Sequence, residues 1–291
     1  MNIGICFSGG GIKGAAHIGV LKAFEEENIQ FNYISGTSSG SIVARLYSIG
    51  YTADEIKEIF KKNYKKIKYI ENKRIIKLIL GVIFKREIII DGLSSGEKIE
   101  QIIEKYSKQK SINNINQISK KVLIPSVDAN NGDIYYFSSV QRNIREFSDR
   151  IIYINDCSVG KAVHASCSYP GVFAPCNYNN VKLIDGGIRE NTPWRELKKC
   201  GAEKVICITF SEKSKNVCKK NIFDIVENSI KILNHELANY ELEGVDFIIK
   251  IKTMPVKLLE IEKFDYLYEL GYEYAKKFIE KNRNYLLEIN K

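Results

Sequence analysis

Phe31-Asn32-Tyr33-Ile34-Ser35-Gly36-Thr37-Ser38-Ser39-Gly40 is the stretch on which the fold turns. A β-type run ends at Ser35, a glycine-flanked serine follows, and helical spacing takes over across 39–49. G-x-S-x-G between a strand and a helix is a nucleophile elbow. The glycines Gly36 and Gly40 tolerate a sharp turn that exposes the Ser38 hydroxyl at the helix N-terminus. Alone the pattern is weak, since chance supplies about 0.1 matches in a chain this long. Its plain alternative is an ordinary glycine-rich turn. The preceding junction adds weight: a strand over 2–7 and a helix over 13–27 enclose Ser8-Gly9-Gly10-Gly11-Ile12-Lys13-Gly14. Such a loop leaves backbone amides free to face an anion.

Outward from here the alternation continues. Strand-type runs recur at 122–127, 134–138, 181–184, 204–210 and 245–251, and helical spacing at 52–64, 95–106, 159–166, 223–240 and 262–283. Thr52 with Glu55 reads as a capping box at a helix start. The expected fold class is α/β, a mainly parallel central sheet flanked by helices on both faces in three layers. With 44% hydrophobic and 27% charged residues the chain is neither disordered nor fibrous. The longest apolar run, 78–84, is seven residues against the roughly 20 of a membrane-spanning helix. Seven cysteines are scattered singly without C-x-x-C, which suits a reducing compartment and argues against zinc. Met1 leads directly into strand-like sequence, so no Sec-type signal and a cytoplasmic location are expected.

Gly9-x-Gly11-x-x-Gly14 also matches a dinucleotide fingerprint, which expects an acid at the end of the second strand. That strand ends Ile34-Ser35-Gly36, so a nicotinamide enzyme becomes a minor alternative. A serine hydroxyl needs a base. Of three histidines, His17 shares a helix face with Val20, Leu21 and Phe24 and reads as core, and His164 has no obvious partner. His235 could complete a Ser…Asp…His order, although it sits mid-helix. The other base is Asp185, in Leu183-Ile184-Asp185-Gly186-Gly187. This is either a tight turn or an acid given room by Gly186 and Gly187 to approach Ser38. An exposed carboxylate near pKa 4 is a feeble base, so the second reading requires burial.

Together these motifs resemble the patatin-like phospholipase family, whose members carry G-G-G-x-R/K-G, G-x-S-x-G and D-G-G/A in that order. Further likeness lies in Gly14–Leu21, in Ala165-Ser166 to Pro170, and in Asn191-Thr192-Pro193. It spans about residues 3–196 of a single domain, with a helical C-terminal tail over about 254–291. Lys13 stands where arginine is common, and Ser8 where some members have Asp. The resemblance implies a Ser38–Asp185 dyad, an oxyanion hole from Gly9, Gly10, Gly11, Lys13 and Gly14, an acyl-serine intermediate, and no metal or organic cofactor. The implied substrate is a phospholipid or another acyl ester. A broad carboxylesterase and a non-catalytic lipid-binding module are the alternatives.

The net charge of +9 has one source. Residues 61–86 hold ten basic side chains against Glu71 alone, and the remainder of the chain balances. Drawn as a helix, Lys73, Arg74, Lys77 and Lys85 share one side, with Ile75, Ile76, Ile79 and Ile83 opposite. Such an element could lie peripherally on an anionic membrane, or be a surface helix with solvated lysines. Nothing accompanies the patch that would mark a nucleic-acid module.

Overall fold

A computed structural model of the chain describes residues 2–67, 69–141, 150–212, 222–257 and 260–289. In chain order the elements are β1 (Ile3–Phe7), α1 (Gly14–Glu26), β2 (Tyr33–Gly36), α2 (Ser39–Ser48), α3 (Ala53–Asn63), α4 (Asn72–Leu80), α5 (Glu97–Gln109) and β3 (Lys121–Asp128). Then come β4 (Ile134–Ser138), β5 (Ile151–Ile154), α6 (Val159–Cys167), β6 (Cys176–Tyr178), β7 (Val181–Asp185) and α7 (Trp194–Lys199). The last are β8 (Lys204–Glu212), α8 (Ile222–Glu241), β9 (Phe247–Thr253), α9 (Phe264–Lys281) and α10 (Arg283–Ile289).

The sheet runs β5-β4-β3-β2-β1-β8-β9, with β7 also pairing β3 and β6 pairing β7. Neighbours from β3 to β9 along this path are parallel, while β4 and β7 each run antiparallel to β3. Strand alternation divides the core in two. From β1, Ile5 and Phe7 enter one cluster with α1, α2 and α5, whereas Cys6 faces the other with Trp194 and Leu197 of α7. Helices therefore cover both faces, as the alternating pattern predicts.

The capping box forms: Glu55 N–H donates to the Thr52 hydroxyl at 3.2 Å, and Thr52 N–H donates to the Glu55 carboxylate at 2.8 Å. Helix α9 packs on α1 at near-backbone contact. A Cβ on Gly19 would stand 2.0 Å from the Tyr268 carbonyl oxygen, and one on Gly271 would stand 2.0 Å from that of Ala16. Three short elements escape the sequence pattern: β5, β6 and α7, of four, three and six residues. The basic segment is not one helix. It begins in the last turn of α3 and continues through α4 into a π-helical turn at Gly81–Lys85, after which the chain reverses at Arg86.

Candidate active site

Strand register brings the three motifs to one level. Phe7 lies beside Gly36, so the glycine loop after β1 and the serine turn after β2 leave the sheet together. Ser35 lies beside Leu123 of β3; three residues further along β3, Ser126 lies beside Asp185, the last residue of β7. Ser38 is likewise three residues beyond Ser35. The acid and the alcohol thus emerge at the same height, and both line one cavity of about 360 Å³.

Ser38 adopts φ 52°, ψ −123°, a conformation that costs an L-residue on the order of 1–3 kcal/mol. Close packing holds it there. A Cβ on Gly36 would meet the Gly40 carbonyl oxygen at 2.4 Å, and one on Gly40 would meet that of Phe7 at 2.4 Å. Ser38 N–H donates to Ser166 Oγ at 3.1 Å, and Ser41 Oγ donates to the Ser38 carbonyl at 2.6 Å. The backbone is tied down while the Ser38 side chain stays on the cavity wall.

Asp185 is 2% exposed. Its Oδ1 accepts the Gly187 N–H at 2.8 Å, while Oδ2 is buried without a full hydrogen bond. Burial pushes its pKa up to about 6, against the opposing pull of the nearby Ser38 hydroxyl and the Gly187 amide. Gly186 lets β7 close on β3, since a Cβ there would stand 2.5 Å from the Pro125 carbonyl oxygen.

The glycine loop narrows the expected oxyanion donors. Gly9 N–H already donates to Asn191 Oδ1 at 2.8 Å, Lys13 N–H to the Gly10 carbonyl at 3.3 Å, and Gly14 N–H to the carbonyls of Gly11 and Ile12. The Lys13 ammonium is held by Glu212 at 2.5 Å. Gly9, Lys13 and Gly14 therefore shape the loop with their amides already spent. Gly10 and Gly11 have no acceptor among the described residues, and both line the cavity.

His17 is a core residue, as its helix face predicts. Its ring lies between Phe7 and Phe210, Nε2–H donates to the Ser8 carbonyl at 2.8 Å, and burial lowers its pKa to about 4. It braces the start of the glycine loop as a neutral group. His164, for which the sequence suggests no partner, has two: Nδ1 meets Glu100 Oε2 at 2.8 Å and Nε2 meets the Ser95 carbonyl at 3.0 Å. Burial alone would lower its pKa, but Cys176 and Glu100 outweigh burial and push it up to about 9. Glu100, His164 and Cys176 place three metal-ligand types within 4.8 Å. Glu100 also pairs with Lys161 at 2.9 Å, so the group is an ion network joining α5 to α6. The His235 side chain lies outside the described residues.

Two contributors escape the sequence reading. Asn191 reaches from beyond the acid to the Gly9 amide, and a Cβ on Gly187 would lie 3.2 Å from both Asn191 Oδ1 and Asp185 Oδ1. It thereby ties the glycine loop to the acid turn. Asn191 is itself clamped: Glu241 of α8 accepts the Asn191 and Thr192 amides, each at 2.8 Å. Ser166 is the other, as acceptor for Ser38 N–H. Both sit in stretches notable in the sequence, but their partners are more than 100 residues away. From the polar end the cavity continues along Ile42, Leu46, Ile59, Phe60, Ile102 and Phe173. This apolar wall can hold a hydrocarbon chain with its polar end at Ser38.

Comparison with known proteins covers the stretch that holds these residues. The family model described as patatin-like phospholipase matches residues 5–198. The uncharacterized protein YqhO of Bacillus subtilis is 28% identical over 235 residues, 76% of this chain and 75% of that protein. Lysophospholipase NTE1 of Meyerozyma guilliermondii is 26% identical over 206 residues, 71% of this chain but 12% of that far longer protein. Among solved structures, VipD from Legionella pneumophila aligns with a TM-score of 0.53 and 13% identity. That alignment covers 96% of this chain and 67% of that one, a likeness of fold alone.

Proposed function

Since the chain belongs to the patatin-like phospholipase family, we propose that it is a lipid acyl hydrolase working through Ser38 and Asp185. Asp185 takes the Ser38 proton as the serine oxygen attacks an ester carbonyl. The Gly10 and Gly11 amides receive the developing oxyanion, where losing one donor costs on the order of 10²–10³ in rate in other hydrolases. The proton passes to the departing alcohol or lyso-lipid, leaving an acyl-Ser38 ester. Water, deprotonated by the same aspartate, then releases the fatty acid and restores the serine.

One observation carries this reading: a serine in a strained left-handed conformation shares a cavity with a buried carboxyl whose pKa is pushed up to about 6. A carboxylate with that pKa is a far better base than an ordinary aspartate, yet stays mostly ionised at pH 7. The apolar wall favours a long acyl chain over a small soluble ester, and so a phospholipid or similar lipid over the broad carboxylesterase reading. The substrate then comes from a membrane, an anionic one that residues 61–86 contact peripherally. A lipid-binding module that lacked catalysis would have no use for the strained serine.

Fluorophosphonate labelling tests the nucleophile. The wild-type chain should be tagged and Ser38→Ala should not, and Asp185→Asn should lose phospholipid hydrolysis with its fold retained. An untagged wild-type protein, or an active Asp185→Asn variant, overturns the scheme.

A further inference from the structure

The chain leaves the body after Tyr69 and returns at Ser94 as a clasped hairpin. Glu71 N–H donates to the Leu93 carbonyl at 2.9 Å, and the Glu71 carboxylate accepts Ser95 N–H at 2.8 Å and the Ser94 hydroxyl at 3.0 Å. Arg74 crosses the base to Asp91 Oδ1 at 2.8 Å and the Gly92 carbonyl at 3.1 Å. Above this clasp the outgoing arm is α4 with its π-helical turn, and Arg86 reverses the chain at φ 55°. The return arm closes on Gly81, where a Cβ would stand 2.6 Å from Ile89.

Between Asn72 and Ile88 only Gly81 is buried. The aliphatic side of α4, which an ordinary surface helix would turn into the core, is largely uncovered: Ile76 is 57% exposed and Ile79 50%, with Ile75 partly buried. The apex is barer still, with Ile83 at 64%, Phe84 at 78% and Ile88 at 76%. Eight of the fifteen large exposed apolar side chains among the described residues lie between Ile70 and Ile88, a concentration that marks an interaction surface. Lys73, Lys77, Lys85 and Arg86 are exposed beside it.

We infer that residues 71–93 form a membrane-inserting hairpin whose apolar apex enters an anionic lipid bilayer while its basic side chains meet the headgroups. An apolar tip rimmed by long cationic side chains matches hydrocarbon beneath a negative surface. The whole net charge of the chain lies in 61–86, and no helix among the described residues is long and apolar enough to cross a bilayer. Insertion is therefore shallow and reversible.

The inference deepens the lipid-hydrolase reading and rests on it for its purpose. Ser94 N–H donates to the Val172 carbonyl at 3.0 Å, Ala174 N–H donates to the Ser94 carbonyl at 2.8 Å, and Tyr69 packs on Phe173 with ring centroids 5.7 Å apart. Tyr69 and Phe173 both line the cavity. A hairpin seated in the bilayer thus holds that side of the cavity against the lipid, and an acyl chain can slide in without crossing water.

Vesicle flotation of the full chain carrying Ser38→Ala, which leaves the lipid intact, is the test. The protein should float with phosphatidylcholine vesicles containing phosphatidylglycerol and much less with phosphatidylcholine alone. Adding Ile83→Asp with Phe84→Asp should weaken binding by about tenfold or more. Adding Lys73→Glu with Lys77→Glu should remove the preference for anionic vesicles. These positions are exposed, so an unchanged melting temperature excludes misfolding as the cause. The proposal is overturned if the parent does not float or if the apex variant floats as the parent does. It is equally overturned if light scattering shows a dimer that the apex substitutions dissociate, since a second copy would then cover the face. Flotation does not depend on catalysis: a failed fluorophosphonate reaction with successful flotation sinks the hydrolase reading and leaves the membrane surface standing.

Discussion

Asp185→Asn should raise the stability of the protein at neutral pH while ending its activity. In the folded chain the Asp185 carboxyl titrates at about 6 against an ordinary 3.8, because burial penalises its charge. Between those values the folded state holds a proton that the unfolded state has released, so stability falls as pH rises through that window. Above it the charged, buried carboxylate costs the fold about 3 kcal/mol, from 2.2 pH units at 1.36 kcal/mol each. An asparagine keeps the oxygen that accepts the Gly187 N–H and carries no charge to bury. The variant should therefore melt about 5 °C or more above the parent at pH 7. The gap should close toward pH 4, where the parent's carboxyl is neutral too. Thermal melts of both proteins across pH 4–8 read this directly. A variant less stable than the parent at pH 7, or a gap independent of pH, would refute the claim that desolvation raises this carboxyl.

Other predictions follow from the same site. With a base of pKa about 6, kcat/KM on a soluble ester should fall about tenfold from pH 7 to pH 5, and a profile flat to pH 5 would exclude Asp185 as the base. Asn191→Ala frees the Gly9 amide and unties the glycine loop from the acid turn, so kcat should drop about tenfold with KM little changed. Asn191→Asp restores the acceptor but adds a charge beside Asp185; it should recover rate at high pH with the acid limb moved upward, and no such movement would leave Asn191 a merely structural role. His235→Ala should hydrolyse at the parent's rate, and a dead His235→Ala beside an active Asp185→Asn would establish a triad instead.

The long elements were legible because each is written locally. Apolar periodicity marks β1, β3, β4 and β8, and Thr52 with Glu55 marks the start of α3, all within a few residues of their expected bounds. The elements that escaped are too short to show a period. β6 is Cys-Asn-Tyr and exists because β7 lies beside it, while α7 is a six-residue turn after Pro193. At the site, Ser38 and Asp185 could be singled out as candidates from glycines that permit tight turns. Which loop amides stay free could not be read in advance, because every amide in the loop looks alike until Asn191 claims Gly9 and the loop's own carbonyls claim Lys13 and Gly14.

By itself the sequence determined the alternation of strands and helices, the serine turn, the acid turn and the place of the charge surplus. These are matters of backbone sterics and side-chain type over a few neighbouring positions. Only the tertiary structure decided that Asp185 stands level with Ser38, since that depends on how β7 registers against β3. It alone decided the burial that raises the pKa of this acid, because desolvation comes from whatever packs around a group. It also decided the fate of the aliphatic face of α4, where periodicity marks an apolar side yet only three-dimensional packing reveals that Ile76 and Ile79, and Ile83 just beyond the helix, are left exposed.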